Sequence, residues 1–542
     1  MATLPTVDVA VLGSGAAGLT AALAAADAGA EVAVYEKADS LGGTTALSSG
    51  VAWLPGNRYA RAAGIDDPAG SALEYLAALS HGMIRPEMAA AFVHSVEPLT
   101  EWLETRTPLH LRLVPGYPDY HPEVPGGRPR GGRSVEPELF AFEELGEWGG
   151  RFLGFPRRTY VTETPVGGGT GFLTPEVERE RTSRGVEGLG RALLGALLKG
   201  LLDKGVRPVT GKAAARLVTE DGAVRGVRFA DGDMVGARRG VVIATGGFER
   251  DPSLVTAFLR GPMCHPSGAP TNTGDGLRMA MRVGAQLGMM REAWWVPVVA
   301  EPGEEQDQWA LHGVQLVQRE RTLPRTIMVN ASGRRFTNEA ANYNALGGAF
   351  HAFDPTRFGY VNQPCWILFD QGFVDEYGGY GTPAGGDMPG WITRAETVEG
   401  LAEALGLPAD ELAATVRRWN ELVDRGHDDD FLRGDSAFDG WCGDRRKYPG
   451  TAATLGPLDS GPYYGARLHS SSLGTKGGPL TTVDAEVLDV DGAPVPGLWA
   501  VGNAMAAPTG MVYGGAGGTL GPALVFGFRG GRSAAGHPVP AR

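Results

Sequence analysis

No apolar run in this chain of 542 residues approaches the roughly 18–20 residues needed to span a bilayer. The start, "MATLPTVDVAVLGSG", lacks the basic n-region of a secretory leader and leads directly into a strand pattern. Cysteine is scarce: Cys264, Cys365 and Cys442 are three in all and far apart, which is neither a disulfide framework nor a zinc spacing. A reducing compartment suits that usage, and a cytoplasmic location is the expectation. Basic residues are outnumbered, 49 Lys and Arg against 62 Asp and Glu, for a net charge of −13. That disfavours nucleic acid, whose binding needs a basic footprint. None of the ten histidines sits in an HExxH or H-x-H arrangement, so no metal site is expected. There is no repeat of fixed period, and the 83 glycines lack a G-x-y rhythm. The length suits several domain-sized units or two large ones.

What is present begins with "VDVAVLGSGAAGLTAALAAADAGAEVAVYEK". Val7–Leu12 reads as a strand, Leu19–Ala28 as an alanine-rich helix and Glu31–Tyr35 as a second strand. Gly13, Gly15 and Gly18 form G-x-G-x-x-G, with Ser14 and Ala17 between them, and Glu36 closes the second strand 23 positions after Gly13. This is the βαβ dinucleotide fingerprint. Its glycines let a pyrophosphate rest on the helix N-terminus, and its acid reaches a ribose hydroxyl. Lys37 follows at once. "LGGTTALSSG" then places Gly43, Thr44, Thr45, Ser49 and Gly50 in a second loop, as though folded over a longer cofactor than a free nicotinamide dinucleotide.

Further on, "ARLVTEDGAVRGVRFADGDMVGARRGVVIATGG" reads as a β-meander with "EDG" and "ADGD" turns, ending in a buried strand before Thr245 and Gly246. Asp275 stands at a helix start as either an N-cap or a cofactor contact. From about Trp294 the texture changes to alternating strands and turns. In "LPADELAATVRRWNELVDRG", Leu412, Val416, Trp419 and Val423 share one helical face. "GLWAVGN" returns to a buried strand and a turn at Gly502 and Asn503. Next comes "GMVYGGAGGTLGPALVFG", in which Tyr513 stands among six glycines before Pro522. Glycine lets backbone N–H groups approach a ligand closely, and a helix N-terminus favours negative charge, so the run suggests a site where an oxygen gains charge.

The first and second loops resemble the FAD-binding unit of the fumarate reductase and succinate dehydrogenase flavoproteins. That likeness adds Lys37, the second loop, Thr245, Gly246, Asp275, Gly502, Asn503, Gly518 and Leu520 to the expected cofactor contacts. Members with covalent flavin carry a histidine in the second loop. None lies between Gly43 and Gly50, so the resemblance implies non-covalent FAD. "YPDYHPEVPGG", "RRFTNEAANY", "LGTKGG" and "YGGAGGTLGPA" are similar to the 3-ketosteroid Δ1-dehydrogenases over nearly the whole chain. Fumarate reductases carry an arginine after the late glycine turn for a dicarboxylate, whereas "NAMAAPTGMVYGGAGG" has neither arginine nor histidine.

The resemblance implies an α/β fold: a Rossmann-type FAD-binding domain (residues 1–293 and 467–542) with an inserted α+β substrate, or cap, domain (residues 294–466). It assigns the chemistry to Tyr120, Tyr343, Tyr513 and Gly517. Desaturation beside a ketone removes a proton from the α carbon and a hydride from the β carbon, the hydride passing to the flavin. Tyr513 O–H and Gly517 N–H would hold the carbonyl oxygen as it becomes enolate-like, Tyr343 would take the proton, and Tyr120 would support Tyr343. Family members usually have prolines where this chain has Gly514 and Ala516, which implies a looser loop. The expected partners are a small hydrophobic cyclic ketone, most simply a 3-ketosteroid, and an electron acceptor the sequence does not name. A reductase acting on a neutral enone and a non-catalytic flavoprotein are the alternatives.

Overall fold

Val7–Leu12 (β1) is apolar at almost every position because both faces of a parallel sheet are covered. The computed structural model describes residues 6–301 and 313–539. The chain divides into two compact units, Met1–Leu259 with Gly268–Ala293 and Gly474–Arg542, and Arg260–Ser267 with Trp294–Leu473.

In the first unit, β1 pairs in parallel with Val32–Tyr35 (β2) on one side and with the end of a long strand, Met234–Ile243, on the other. That long strand in turn pairs in parallel with Pro494–Ala500, the late strand read from "GLWAVGN". Its first half instead continues the antiparallel meander with Ala214–Glu220 and Ala223–Phe229. The change of partner falls at Gly240, whose φ is +140° and where a side chain would stand 2.1 Å from the carbonyl of Gly497.

Ala16–Asp27 (α1) is almost wholly buried, and its alanines have a packing reason. The last helix, Leu520–Ala534 (α2), lies against it at close range. A side chain at Gly527 would meet the Ala17 carbonyl at 2.7 Å, and one at Gly531 the Ala21 carbonyl at 2.2 Å. Small residues one turn apart on both helices let the backbones approach and bring the C-terminal segment onto the dinucleotide loop.

The second unit has its own sheet, running Val314–Leu316, Ala293–Ala300, Tyr463–Thr475, Cys365–Asp370 and Thr326–Asn330. Period-two alternation divides its side chains between two cores: Met328, Ile367 and Phe369 on one face, Ile327, Val329 and Leu368 on the other. The second core is covered by the amphipathic helix, Ala409–Arg425, through Leu412, Val416, Trp419 and Leu422, while Val423 is only half-buried. The unit reaches seven residues past the expected edge at 466 because Tyr463–Thr475 is one continuous strand of its sheet. Arg260–Ser267 belongs to it as well, since the N–H groups of Cys264 and Ser267 donate to the carbonyls of Ser470 and Ser472, each at 2.9 Å.

Candidate active site

Where β1 ends, the chain must turn tightly into α1. Gly13 has φ +111°, and a side chain there would lie 2.3 Å from the Ala244 carbonyl; at Gly18 one would lie 2.1 Å from the Gly13 carbonyl. Gly15 is different: its missing Cβ has nothing nearer than 3.6 Å. It caps α1 without any side-chain hydrogen bond, and the first turn holds no acid. A helix start with no side chain at Gly15 and no acid in its first turn suits an anionic pyrophosphate.

Glu36 is buried at the end of β2. Its Oε2 accepts from Ser14 N (3.0 Å) and Ser14 Oγ (2.6 Å), and Oε1 accepts from Ala38 N (2.9 Å). It therefore braces the glycine loop as well as standing where the ribose is expected. The second loop is tied down in turn: Gly42 N donates to Ser14 Oγ at 2.9 Å, and Ala16 N to Thr45 Oγ1 at 3.2 Å. Gly43, with φ +48°, faces open space, and Ser49 is exposed. Thr44 Oγ1 accepts from Ala269 N and Asn272 Nδ2, each at 2.9 Å.

Asp275 is not an N-cap. Gly274 caps that helix, and Asp275, in its first turn, pairs with Lys37 Nζ at 2.8 Å. Lys37 also donates to Thr273 Oγ1 at 2.5 Å, so the two expected cofactor contacts meet each other. Gly246 (φ +74°) abuts Asn272, and Gly502 (φ +64°) abuts Ala17, which sets the second of these turns against α1. Asn503 is half-buried in the short 3-10 turn that follows. Two buried atoms here have no hydrogen-bond partner among the described residues: Thr245 Oγ1 and Glu249 Oε2. Burial pushes the Glu249 carboxyl above its ordinary value. The bare helix start at Gly15, the open face at Gly43 and these two atoms suit a large polar cofactor.

The C-terminal loop gives the glycines a second reason. Side chains at Gly514 and Gly515 would strike the indole of Trp53, at 3.0 and 2.5 Å. One at Gly517, where φ is +91°, would stand 2.5 Å from the Val51 carbonyl, and one at Gly518 would stand 2.9 Å from the Tyr513 ring. The loop is held firmly, contrary to the looseness its missing prolines imply. Tyr120 N donates to the Gly514 carbonyl (3.0 Å), and Tyr75 O–H to the same oxygen (2.7 Å). Ser134 Oγ donates to the Ala516 carbonyl (2.9 Å), and Trp53 N to the Gly517 carbonyl (3.0 Å).

These bonds bring Tyr120 and Tyr513 together, with ring centroids 5.1 Å apart and both side chains buried. Thr519 Oγ1 donates to the Tyr513 phenol oxygen at 3.3 Å. A phenol that accepts can still donate its own proton. The Gly517 N–H makes no hydrogen bond among the described residues.

Behind Tyr120 lies a network that sequence reasoning missed. Asp119 Oδ1 accepts from the Trp53 indole at 2.8 Å, and Oδ2 from Arg133 at 2.7 Å. Arg133 also pairs with Asp67 at 2.8 Å. Asp119 was visible inside "PDYH", but nothing in the pattern joined it to a tryptophan 66 positions earlier.

Tyr343 is in the second unit and buried, following "RRFTNEAAN". That motif is an anchor. Glu339, fully buried, pairs with Arg335 (2.7 Å) and Arg433 (3.3 Å) and accepts from Met328 N (3.2 Å). Arg335 also meets Asp428 at 2.7 Å, and Asn338 Nδ2 donates to Asp439 at 2.8 Å.

A family model of the FAD binding domain matches residues 8–520. The chain is 37% identical to the 3-oxosteroid 1-dehydrogenase of Mycobacterium tuberculosis, over 97% of this chain and 98% of that one. The chain belongs to this family of FAD-dependent dehydrogenases. It is also 40% identical to the 4-oxocyclohexanecarboxylate 2-dehydrogenase of Sinomonas cyclohexanicum, over 98% of this chain and 93% of the relative. A crystal structure of the 3-ketosteroid Δ1-dehydrogenase of Sterolibacterium denitrificans, in complex with 1,4-androstadiene-3,17-dione, superposes with a TM-score of 0.88 at 34% identity, covering 98% and 99% of the two chains. The α/β flavoprotein fold and the FAD cofactor expected from the sequence are thereby established for this FAD-dependent dehydrogenase. No helix among the described residues is long and apolar enough to cross a membrane, and no group of three or more metal-ligating side chains occurs among them.

Proposed function

We propose that this dehydrogenase desaturates the carbon–carbon bond next to a ring ketone. The observation that carries the reading is the pairing of Tyr120 and Tyr513 over a glycine loop whose Gly517 N–H has no internal acceptor among the described residues. An α C–H becomes acidic only as its carbonyl oxygen takes on enolate charge. Tyr513 O–H and Gly517 N–H are the donors for that oxygen, each worth about 3–4 kcal/mol at the transition state. Tyr343 receives the α proton, and Tyr120 keeps its supporting role. A free phenol has a pKa of about 10, so Tyr343 depends on neighbours to act as a base.

FAD, bound without a covalent link, supplies the acceptor for the β hydride. The loop of Gly13, Gly15 and Gly18 would hold its pyrophosphate, with Gly15 facing it and Gly13 and Gly18 closing the turn, and Glu36 would hold its ribose. The likeness to steroid dehydrogenases supports a 3-ketosteroid as substrate. The 40% identity to a dehydrogenase named for a monocyclic 4-oxo acid supports a smaller ring ketone as the second reading.

The test is anaerobic single-turnover bleaching of the flavin by a 3-ketosteroid and by a monocyclic 4-oxo acid, in wild type, Tyr513→Phe and Tyr343→Phe at equal FAD content. Each variant is expected to slow bleaching by about 10²-fold or more with little change in ketone affinity. The faster substrate decides between the two ring classes. Wild-type rates in Tyr513→Phe would place the ketone elsewhere. Flavin that stays with the acid-denatured chain would overturn the non-covalent assignment.

A further inference from the structure

A backbone N–H can serve as an oxyanion donor only if its peptide plane is held. The Gly517 N–H belongs to the peptide that joins Ala516 to Gly517. In a planar trans peptide the C=O and the N–H point in opposite directions, so whatever fixes the Ala516 carbonyl aims the Gly517 N–H. That carbonyl accepts from the hydroxyl of Ser134 at 2.9 Å. Ser134 is 2% exposed and opens the short strand Ser134–Pro137, where it pairs directly opposite Trp53. Trp53 N holds the next carbonyl, that of Gly517, at 3.0 Å. Both peptides that meet at Gly517 are therefore clamped by their oxygens from one antiparallel pair of residues. Glycine is required there, because φ is +91° and a side chain would collide with Val51 and Ala52. The backbone would otherwise be the most free in the loop.

We propose that Ser134 is a positioning residue for the reaction: its hydroxyl aims and polarises the Gly517 N–H toward the ketone oxygen. The inference rests on the reading of Gly517 as a donor to that oxygen. A hydrogen bond accepted by an amide oxygen also strengthens the same amide as a donor, since chained bonds polarise one another. The contribution therefore grows as the ketone oxygen gains charge, and it falls on turnover rather than on ground-state binding.

Ser134→Cys keeps the side chain's shape and replaces the hydroxyl by a weak donor; Ser134→Thr keeps the hydroxyl. Three quantities are read at equal FAD content: single-turnover bleaching rate, ketone affinity, and affinity for a substituted phenolate as an enolate mimic. Ser134→Cys is expected to slow bleaching about three- to tenfold and to weaken phenolate binding in proportion, with ketone affinity unchanged. Ser134→Thr should restore both. If Ser134→Cys lowers only the melting temperature and leaves bleaching and phenolate affinity at wild-type values, the hydroxyl merely satisfies a buried carbonyl and the proposal falls. Tyr513→Phe separates the two levels. If it is impaired while Ser134→Cys is not, only the positioning role is lost. If Tyr513→Phe and Ser134→Cys are both unimpaired, the donor site itself has been misplaced.

Discussion

In the first unit one buried arginine serves two carboxylates; in the second, two buried arginines share one. Arg133 pairs with Asp67 and Asp119 beneath the Tyr120 segment. Arg335 and Arg433 both pair with Glu339 at the head of the Tyr343 loop, and Asp428 takes the other face of Arg335. Asp119 and Glu339 end in opposite states, while Asp67, which also meets Arg128 at 3.0 Å, is held below its ordinary value. Burial pushes Asp119 up to about 6; Arg133 and the Trp53 indole oppose it only in part, because the charge of Asp67 works against them. Burial also pushes Glu339 upward, but Arg335 and Arg433 outweigh it and hold the group below its ordinary value. Asp119 pairs with one arginine and Glu339 with two. A buried ion pair gains only when attraction exceeds the cost of removing both charges from water.

The largest effect should come from breaking the well-compensated network. Glu339→Gln leaves Arg433 without its carboxylate in the core, at a cost of about 3–5 kcal/mol in chemical denaturation. A change below about 1 kcal/mol would show that Glu339 does not hold the loop.

The pH dependence comes next. The folded pKa of Asp119 lies above the unfolded value, so between 3.8 and about 6 the folded state binds the extra proton. By that group stability falls as pH rises through this window, by up to about 3 kcal/mol in total. Glu339 has the opposite sign: its contribution is present above 4.5 and is lost only as pH falls through its lowered folded value. Melting temperatures of wild type and Asp119→Asn from pH 4 to pH 7 should therefore draw together toward the acid end, with the wild type losing ground to the variant as pH rises. Parallel curves would contradict the raised Asp119.

At pH 7, Asp119→Asn should therefore be the more stable form, by up to about 3 kcal/mol, because Asp67 still serves Arg133 and a partly uncompensated charge is removed. A loss as large as that of Glu339→Gln would erase the contrast between the networks. The smallest effect belongs to Arg334, next in sequence to Arg335 but 65% exposed in its pair with Glu411. Arg334→Ala should cost between 0 and about 1 kcal/mol. A larger loss would mean that burial does not separate these neighbours.

The local parts of the site were readable from residue order. Strand, glycine loop, helix and terminal Glu36 follow from short-range periodicity, and β1 spans Val7–Leu12 as the pattern indicates. The amphipathic helix buries Leu412, Val416 and Trp419 as its spacing predicts, with Leu422 taking the place read for Val423. Other roles depended on partners far along the chain. Asp275 reads as a cap or a cofactor contact, yet it pairs with Lys37, 238 positions away. The glycines after Tyr513 read as room for a ligand. At Gly514 and Gly515 they are room for Trp53, which no periodicity connects to them.

By itself, then, the sequence determined where the dinucleotide fingerprint lies, which segments are strands and helices, and which tyrosines fall in motifs. All of these depend on neighbours within a few turns or on glycine's intrinsic freedom. Only the tertiary structure decided which carboxylate each buried arginine would serve, why the loop after Tyr513 is held without its prolines, and that Ser134 would grip the Ala516 carbonyl across 382 positions. Those outcomes are set by desolvation and by hydrogen-bond geometry, and neither exists until distant strands have been brought within about 3 Å of each other.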